Sequence, residues 1–317
     1  MKQKTLNKKI ARQKIALWLY KIFRTGLIIG IAYVILYPLV VKVSVALMSR
    51  EDMYDMTVRW IPKNPTLDNF KEVIKILDYK KYFFTTFFIS ASSTIIQVAV
   101  CTFAAYGFAR FKFKLNGPLF VIVILTLIIP PQTYMVSSYM MFRSFDFFGL
   151  GALFGMKGIP LLNTPFPVLI LSIGCQGVKN GLFIFIMRQF FKNLPGEIEE
   201  SAWVDGAGVF SAFFKIMLPN AVPALTTITV FSFAWSFNDL YTDVTYMPKM
   251  ALFPLAMSKI TSTIMSTLGG RSAVDTVTVS MLTNAAVFLI LIPMIIFFLL
   301  AQKFFVEGVE RTGLTGS

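Results

Sequence analysis

Acidic side chains are scarce in this chain, yet four of them crowd into one short stretch. Residues 195–219, PGEIEESAWVDGAGVFSAFFKIMLP, hold Glu197, Glu199, Glu200 and Asp205, while the 317-residue chain carries 30 Lys and Arg against 16 Asp and Glu, a net charge of +14. Clustered carboxylates can move protons, hold a metal or meet a partner. The chain has no histidine, which removes His-ligated metal sites, Ser-His-Asp and Cys-His nucleophile systems and histidine proton relays. It also has no G-x-x-x-x-G-K-[ST] phosphate loop. Cys101 and Cys175 both fall in apolar segments and read as reduced packing residues. No convergent catalytic set remains, so the acidic stretch is read as a contact surface. Two smaller polar sets interrupt apolar sequence: Gln176, Lys179 and Asn180 in GCQGVKNG, and Trp235, Asn238 and Asp239 at i, i+3 and i+4.

The elements that must carry these residues are membrane helices. The chain is 56% hydrophobic and only 15% charged, with 33 Phe, where a soluble domain is nearer one quarter charged. Crossing about 30 Å of hydrocarbon takes roughly 20 apolar residues. Six stretches qualify, about 27–48, 83–108, 118–141, 166–190, 221–240 and 277–301. Eight Lys/Arg and no acid precede Leu27, which places that end inside. Alternation then puts both termini and residues 195–219 on the cytoplasmic side of an all-α, six-span membrane protein. The expected organisation is a basic N-terminal arm (1–26), a transmembrane domain (27–301) and a short tail (302–317). The first connection, 49–82, carries seven Lys/Arg and six acids, and its Phe70, Val73, Ile74 and Leu77 recur at helical spacing. It is expected to form a small external cap.

With span 4 as one helix, Lys179 lies roughly 16 Å above its cytoplasmic end, where a lysine costs about 2.5–3.5 kcal/mol to insert. Gln176, Lys179 and Asn180 then share a face, lining either a translocation path or a polar contact with a partner helix. Gly174, Gly177 and Gly181 beside them permit a kink or close packing. Asp239 lies about 25 Å up span 5, near the external interface. An aromatic beside an amide and a carboxylate suits a sugar ring, and it equally suits an interfacial Trp with a helix-end carboxylate. The differing depths argue against a Lys179–Asp239 ion pair.

Within 195–219 a longer pattern emerges: Glu200-Ser201-Ala202, three residues to Gly206, nine to Ile216, then Met217, Leu218 and Pro219. It resembles the EAA loop of ABC importer permeases, E-A-A-x-x-x-G-x(9)-I-x-L-P, with Ser201 for the first alanine and Asp205-Gly206-Ala207 matching the usual D-G-A centre. AAYGFARFKFKLNG (104–117) and AQKFFVEGVERTGLTGS (301–317) resemble permeases of the maltose type. The resemblance implies a helix–turn–helix that docks on an ATPase subunit, Glu200 and Asp205 giving polar contacts and Ala202, Gly206 and Ala207 close approach. On the residues themselves, 197–207 suits one helix with acids in its first turns and 209–217 a second. Gly206 and Gly208 permit the turn between them, and Pro219 lets span 5 begin afresh.

The resemblance further implies alternating access, a second permease subunit, two ATP-binding subunits, an extracytoplasmic solute-binding protein and a location in a prokaryotic plasma membrane. ATP and Mg would be used by the partner subunits, and no cofactor is expected on this chain. Two alternatives stay open, a permease for another solute and an ion-gradient-driven transporter. The second would use its intramembrane polar residues for coupling and has no need of an EAA loop.

Overall fold

Two prolines decide the shape of the third apolar stretch. In the computed structural model, which describes residues 2–146, 158–269 and 275–313, α5 (Asn116–Ile128) ends at Ile129 and α6 (Gln132–Arg143) starts after Pro130-Pro131, with a 97° bend between them. Ile129 is extended, as a residue before proline prefers. The straight span expected over 118–141 is therefore not formed. The fourth stretch is also divided, into α7 (Phe166–Ile173) and α8 (Asn180–Asn193). Among the described residues three helical segments, Gln13–Leu47, Tyr79–Arg110 and Thr276–Gln302, are each long and apolar enough to cross a bilayer, and the number rises to five if each of two bent pairs counts as one span.

The remaining helices are α1 (Lys2–Leu47), α2 (Arg50–Tyr54), α3 (Asp68–Ile76), α4 (Tyr79–Arg110), α9 (Glu197–Val204), α10 (Val209–Asn220), α11 (Val222–Phe237), α12 (Leu240–Tyr246), α13 (Phe253–Leu268) and α14 (Thr276–Gly313). Apart from one isolated bridge, Phe145 with Ile159, the described residues contain no β-pairing. Helix α1 runs unbroken through residue 26, so the basic arm and the first apolar stretch form one rod. Contacts divide the chain into two units, 1–76 with 261–289, and 77–260 with 290–317.

In the first unit the segment after α1 folds back on its end. Ser44 donates to Trp60 O (2.7 Å), and Asn69 Nδ2 donates to the carbonyls of Ala46 and Met48 (both 2.9 Å). Buried Asp52 accepts from the Asn64 backbone N–H at 2.8 Å and from its amide at 3.1 Å. The Asn69 bonds satisfy carbonyls that the end of α1 leaves open. Helix α3 buries Val73 but leaves Ile74 41% exposed, so Ile74 lies off the buried stripe.

The second unit is built round α4. Its buried Thr86, Ser90, Ser93, Gln97, Cys101 and Ala105 recur every three or four residues and so share one face. Small and weakly polar residues let helices approach closely where apolar burial gives no drive. Ser93 and Ser172 hydroxyls meet at 2.9 Å, and Ser232 donates to Gln97 Oε1 at 2.5 Å. Below them Cys101, Tyr106, Phe183, Met187, Phe191, Phe213 and Ile228 form one apolar core joining α4, α8, α10 and α11.

Helix α8 meets α5 at Gly181, where an added Cβ would lie 2.5 Å from Thr126 Oγ1 and 2.9 Å from Val123 O. Gly181→Ala is expected to cost about 1–3 kcal/mol through overpacking, read as a lowered Tm in detergent. Gly117→Ala, whose Cβ would meet nothing within 4 Å, is the control expected to leave Tm unchanged.

Candidate functional site: a clamped helix–turn–helix and a polar cavity

Glu199 is the acid of the 195–219 stretch that turns inward. It is 2% exposed, and its carboxylate lies 3.2 Å from Arg110 Nε at the end of α4. Tyr106 donates its hydroxyl to the same carboxylate, and Arg110 Nη2 donates to Leu194 O at 2.9 Å. The helix–turn–helix is thus tied to the last turn of α4 by an ion pair between a buried carboxylate and a partly exposed guanidinium. Sequence reading placed Glu199 in the acidic patch without distinguishing it. The signal available was Arg110, a cation at the end of an apolar helix.

The turn after α9 is fixed by backbone geometry. Gly206 takes φ +82, Ala207 N–H bonds Ala202 O (2.9 Å), and Gly206 N–H bonds Trp203 O (3.0 Å). This pair of bonds is a Schellman cap, whose left-handed residue is normally glycine. Gly208 is extended (φ −70, ψ 163) and has no such requirement, so one of the two expected turn glycines does the turning. Helix α9 ends at Val204 rather than 207. Helix α10 runs on through Ile216, Leu218 and Pro219 to Asn220, by a wide turn in which Leu218 N–H reaches back to Phe213 O. Span 5 therefore does not begin afresh at Pro219. It begins after a 77° bend, with Pro223 in the first turn of α11.

Ala202 is buried, while Glu200, Ser201 and Asp205 face outward. Glu200 and Asp205 make no ion pair among the described residues. Between and beside them lie Val204, 87% exposed, and Phe210, 73% exposed, with Trp203 and Phe214 also open. The outward face is an apolar patch rimmed by carboxylates, an arrangement that marks protein contact sites. The expectation rested on the acids, and the exposed Val204 and Phe210 are the residues it missed.

The second polar set sits at the break between α7 and α8. Cys175 is left-handed (φ +54), with Gln176 N–H bonded to Leu171 O (2.8 Å) and Cys175 N–H to Ser172 O (3.3 Å). This is another Schellman cap, here without glycine at the left-handed position. Lys179 is also left-handed (φ +61) and caps α8. Gln176, Lys179 and Asn180 therefore do not share a helical face, because the helix carrying that face is interrupted. They meet instead around a cavity of about 790 Å³. Helix α4 supplies Ser90, Ser93 and Gln97 to its wall, α6 supplies Tyr134 and Ser138, and the α11–α12 region supplies Asp239 and Asp243. Asn180 is 2% exposed, and both its amide atoms lack a hydrogen-bond partner among the described residues. Buried amides normally find partners, so this one suits a polar guest.

Asp239 caps α12, accepting from Thr242 N–H at 3.2 Å. It lines the same cavity as Lys179, and the two make no ion pair among the described residues. Trp235 and Asn238 are not in the lining. Trp235 stacks between Phe183 (5.7 Å) and Phe231 (5.4 Å), and Asn238 donates to Ala234 O at 2.8 Å. The three residues at i, i+3 and i+4 diverge because α11 ends at Phe237 and a new helix starts at Leu240.

Residues 97–311 match the family described as "binding-protein-dependent transport system inner membrane component". The chain belongs to that family. Similar family members include the alpha-glucoside transport system permease protein AglG of Rhizobium meliloti, 31% identical over 80% of this chain and 62% of AglG. The chain thus spans less than two thirds of that relative's length. The galactooligosaccharides transport system permease protein GanQ of Bacillus subtilis is 25% identical over 97% of this chain and all of GanQ. In fold, this permease-family chain is similar to a bacterial ABC transporter structure described as importing the acidic polysaccharide alginate. There the TM-score is 0.71 at 21% identity, covering 90% of this chain and 96% of that one.

Removing the Glu199 carboxylate loses its bond to Tyr106 and its attraction to Arg110, whose partly exposed guanidinium can still reach solvent. Glu199→Ala is expected to destabilise the second unit by about 1–3 kcal/mol, seen as a lowered Tm, while Glu200→Ala leaves Tm unchanged. At Gly206 an added Cβ meets nothing within 4 Å, so Gly206→Ala is expected to cost only the left-handed backbone, about 1–2 kcal/mol. Gly206→Trp should cost little more in the isolated chain, and any further loss in a complex measures a partner's approach.

Proposed function

We propose that this chain is the permease subunit of an ATP-driven importer for a carbohydrate. It crosses the membrane six times with both termini cytoplasmic, α7 and α8 forming an interrupted fourth crossing. A second permease completes the path, two ATPase subunits bind ATP and Mg, and an extracytoplasmic solute-binding protein delivers the sugar. The observation that carries this reading is the Glu197–Asn220 helix–turn–helix, clamped inward by Glu199 and open outward at Glu200, Val204, Asp205 and Phe210. A rigid element with an unpaired outward face suits transmitting a partner's motion. Family membership and the printed functions of AglG and GanQ support the importer and carbohydrate parts.

In this mechanism the chain performs no covalent chemistry. Closure of the ATPase subunits pushes on α9 and α10. The Glu199–Arg110 pair passes that displacement to α4, which packs against α7, α8 and α11. The walls of the polar cavity then shift together, and binding energy differs between outward- and inward-facing states, as alternating access requires. Gln176, Lys179, Asn180 and Asp239 offer donors and acceptors to sugar hydroxyls. Trp235 and Asn238 act behind that surface.

Purification through a tag on this chain is expected to bring a second permease and an ATPase, and uptake in proteoliposomes should require ATP and the binding protein. Uptake driven by an ion gradient with this chain alone would instead make it a secondary transporter. Asn180→Ala is expected to lower uptake on the order of tenfold, the scale of one lost charged or buried hydrogen bond, with complex yield and basal ATP hydrolysis retained. Unchanged uptake would remove Asn180 from the path.

A further inference from the structure

One cationic groove shares only Arg110 with the machinery described so far. It lies between the α4–α5 link and α8, encloses about 490 Å³, and is lined by Arg110, Lys112, Lys114, Asn116, Arg188 and Lys192 with Phe108, Phe111 and Phe113. No carboxylate is in the lining. Lys112, Lys114 and Lys192 are exposed and make no ion pair among the described residues. The two arginines are held in place. Arg110 bonds Leu194 O, and Arg188 Nε donates to Phe108 O at 3.3 Å while its guanidinium lies 3.7 Å from the centroid of the Phe120 ring.

We propose that this groove binds the headgroup phosphate of an anionic phospholipid at the membrane surface. Charge complementarity selects an anion, and the surroundings select a lipid. Lysines 112 and 114 alternate with exposed Phe111, Phe113 and Leu115, a pattern that seats rings at the acyl boundary and ammonium groups among phosphates. The groove includes Asn116, the first residue of α5, a helix that has no buried residue and presents Leu119, Ile122 and Leu125 along one exposed face. Phosphate and upper acyl chain therefore have adjoining surfaces. Arg110 belongs both to this groove and to the Glu199 clamp, so an occupying lipid stiffens the base of the helix–turn–helix and favours coupled transport. The inference rests on the membrane reading and is independent of which solute is carried.

The test uses the tagged chain with its co-purifying subunits, delipidated and returned to nanodiscs of phosphatidylcholine mixed with phosphatidylglycerol. Native mass spectrometry is expected to show phosphatidylglycerol retained over phosphatidylcholine. Lys112→Gln/Lys114→Gln/Lys192→Gln should reduce that preference on the order of tenfold, given a favourable contribution from each basic residue near an anionic surface. Lys112→Arg/Lys114→Arg/Lys192→Arg should keep it. Undiminished preference in the glutamine variant overturns the proposal. Displacement of the lipid by inorganic phosphate would make the groove a free-phosphate site and also overturns it. So does loss of the ATPase subunits from the glutamine variant with lipid preference intact, which would mark an acidic protein dock. Uptake of a different solute, or none, leaves the lipid measurement readable and bears only on the function proposed above.

Discussion

The ion pair between Glu199 and Arg110 is the constraint on which the arrangement of this protein depends. A carboxylate removed from solvent needs a counter-charge and hydrogen-bond donors, and here it lies against a partly exposed guanidinium. Tyr106 donates to that carboxylate, and the Leu194 carbonyl anchors Arg110 through Nη2. Because Tyr106 and Arg110 occupy successive turns of α4 and Glu199 lies in the first turn of α9, the pair fixes the helix–turn–helix against the helix at the heart of the second unit. Buried Phe213 and Met217 hold α10 to the same core, and the pair adds the polar tie that orients α9.

That clamp separates two kinds of acid that look alike in sequence. Glu199 is structural, and its charge is satisfied within the chain. Glu200 and Asp205 keep their charges outward beside Val204 and Phe210, where water or another protein must meet them. The division explains how a strongly basic chain can hold an acidic patch beside membrane helices. One carboxylate is buried with its own counter-charge, and the others never leave solvent.

Much of this was legible in the residues, and the failures have physical causes. The helical class followed from apolar runs of sufficient length, and the Gly206 turn from glycine's access to positive φ. Gly174, Gly177 and Gly181 were read as permitting a kink or close packing in the fourth stretch, yet the residues that make the break are others. Cys175 and Lys179 adopt left-handed backbone without being glycine, and no local rule marks them. Once that break is present, Gln176, Lys179 and Asn180 cannot share a helical stripe, yet the same break turns them toward a cavity with Asp239. Depth counted along two straight helices had kept Lys179 and Asp239 apart. Pro130-Pro131 was a visible signal that was read through, because hydropathy alone rated 118–141 as one span. Trp235 and Asp239 part for a related reason, since the helix end at Phe237 lets the indole stack on Phe183 while Asp239 lines the cavity.

The account stands on the outward face of the helix–turn–helix being a docking surface for a nucleotide-driven partner. A single Val204→Cys in the assembled complex, treated with a short bifunctional thiol–amine cross-linker, addresses this directly. The expected product joins this chain to the ATPase subunit, with a yield that changes when ATP is added. Absence of that product, together with labelling of the same cysteine by a membrane-impermeant thiol reagent applied from outside sealed cells, would contradict it.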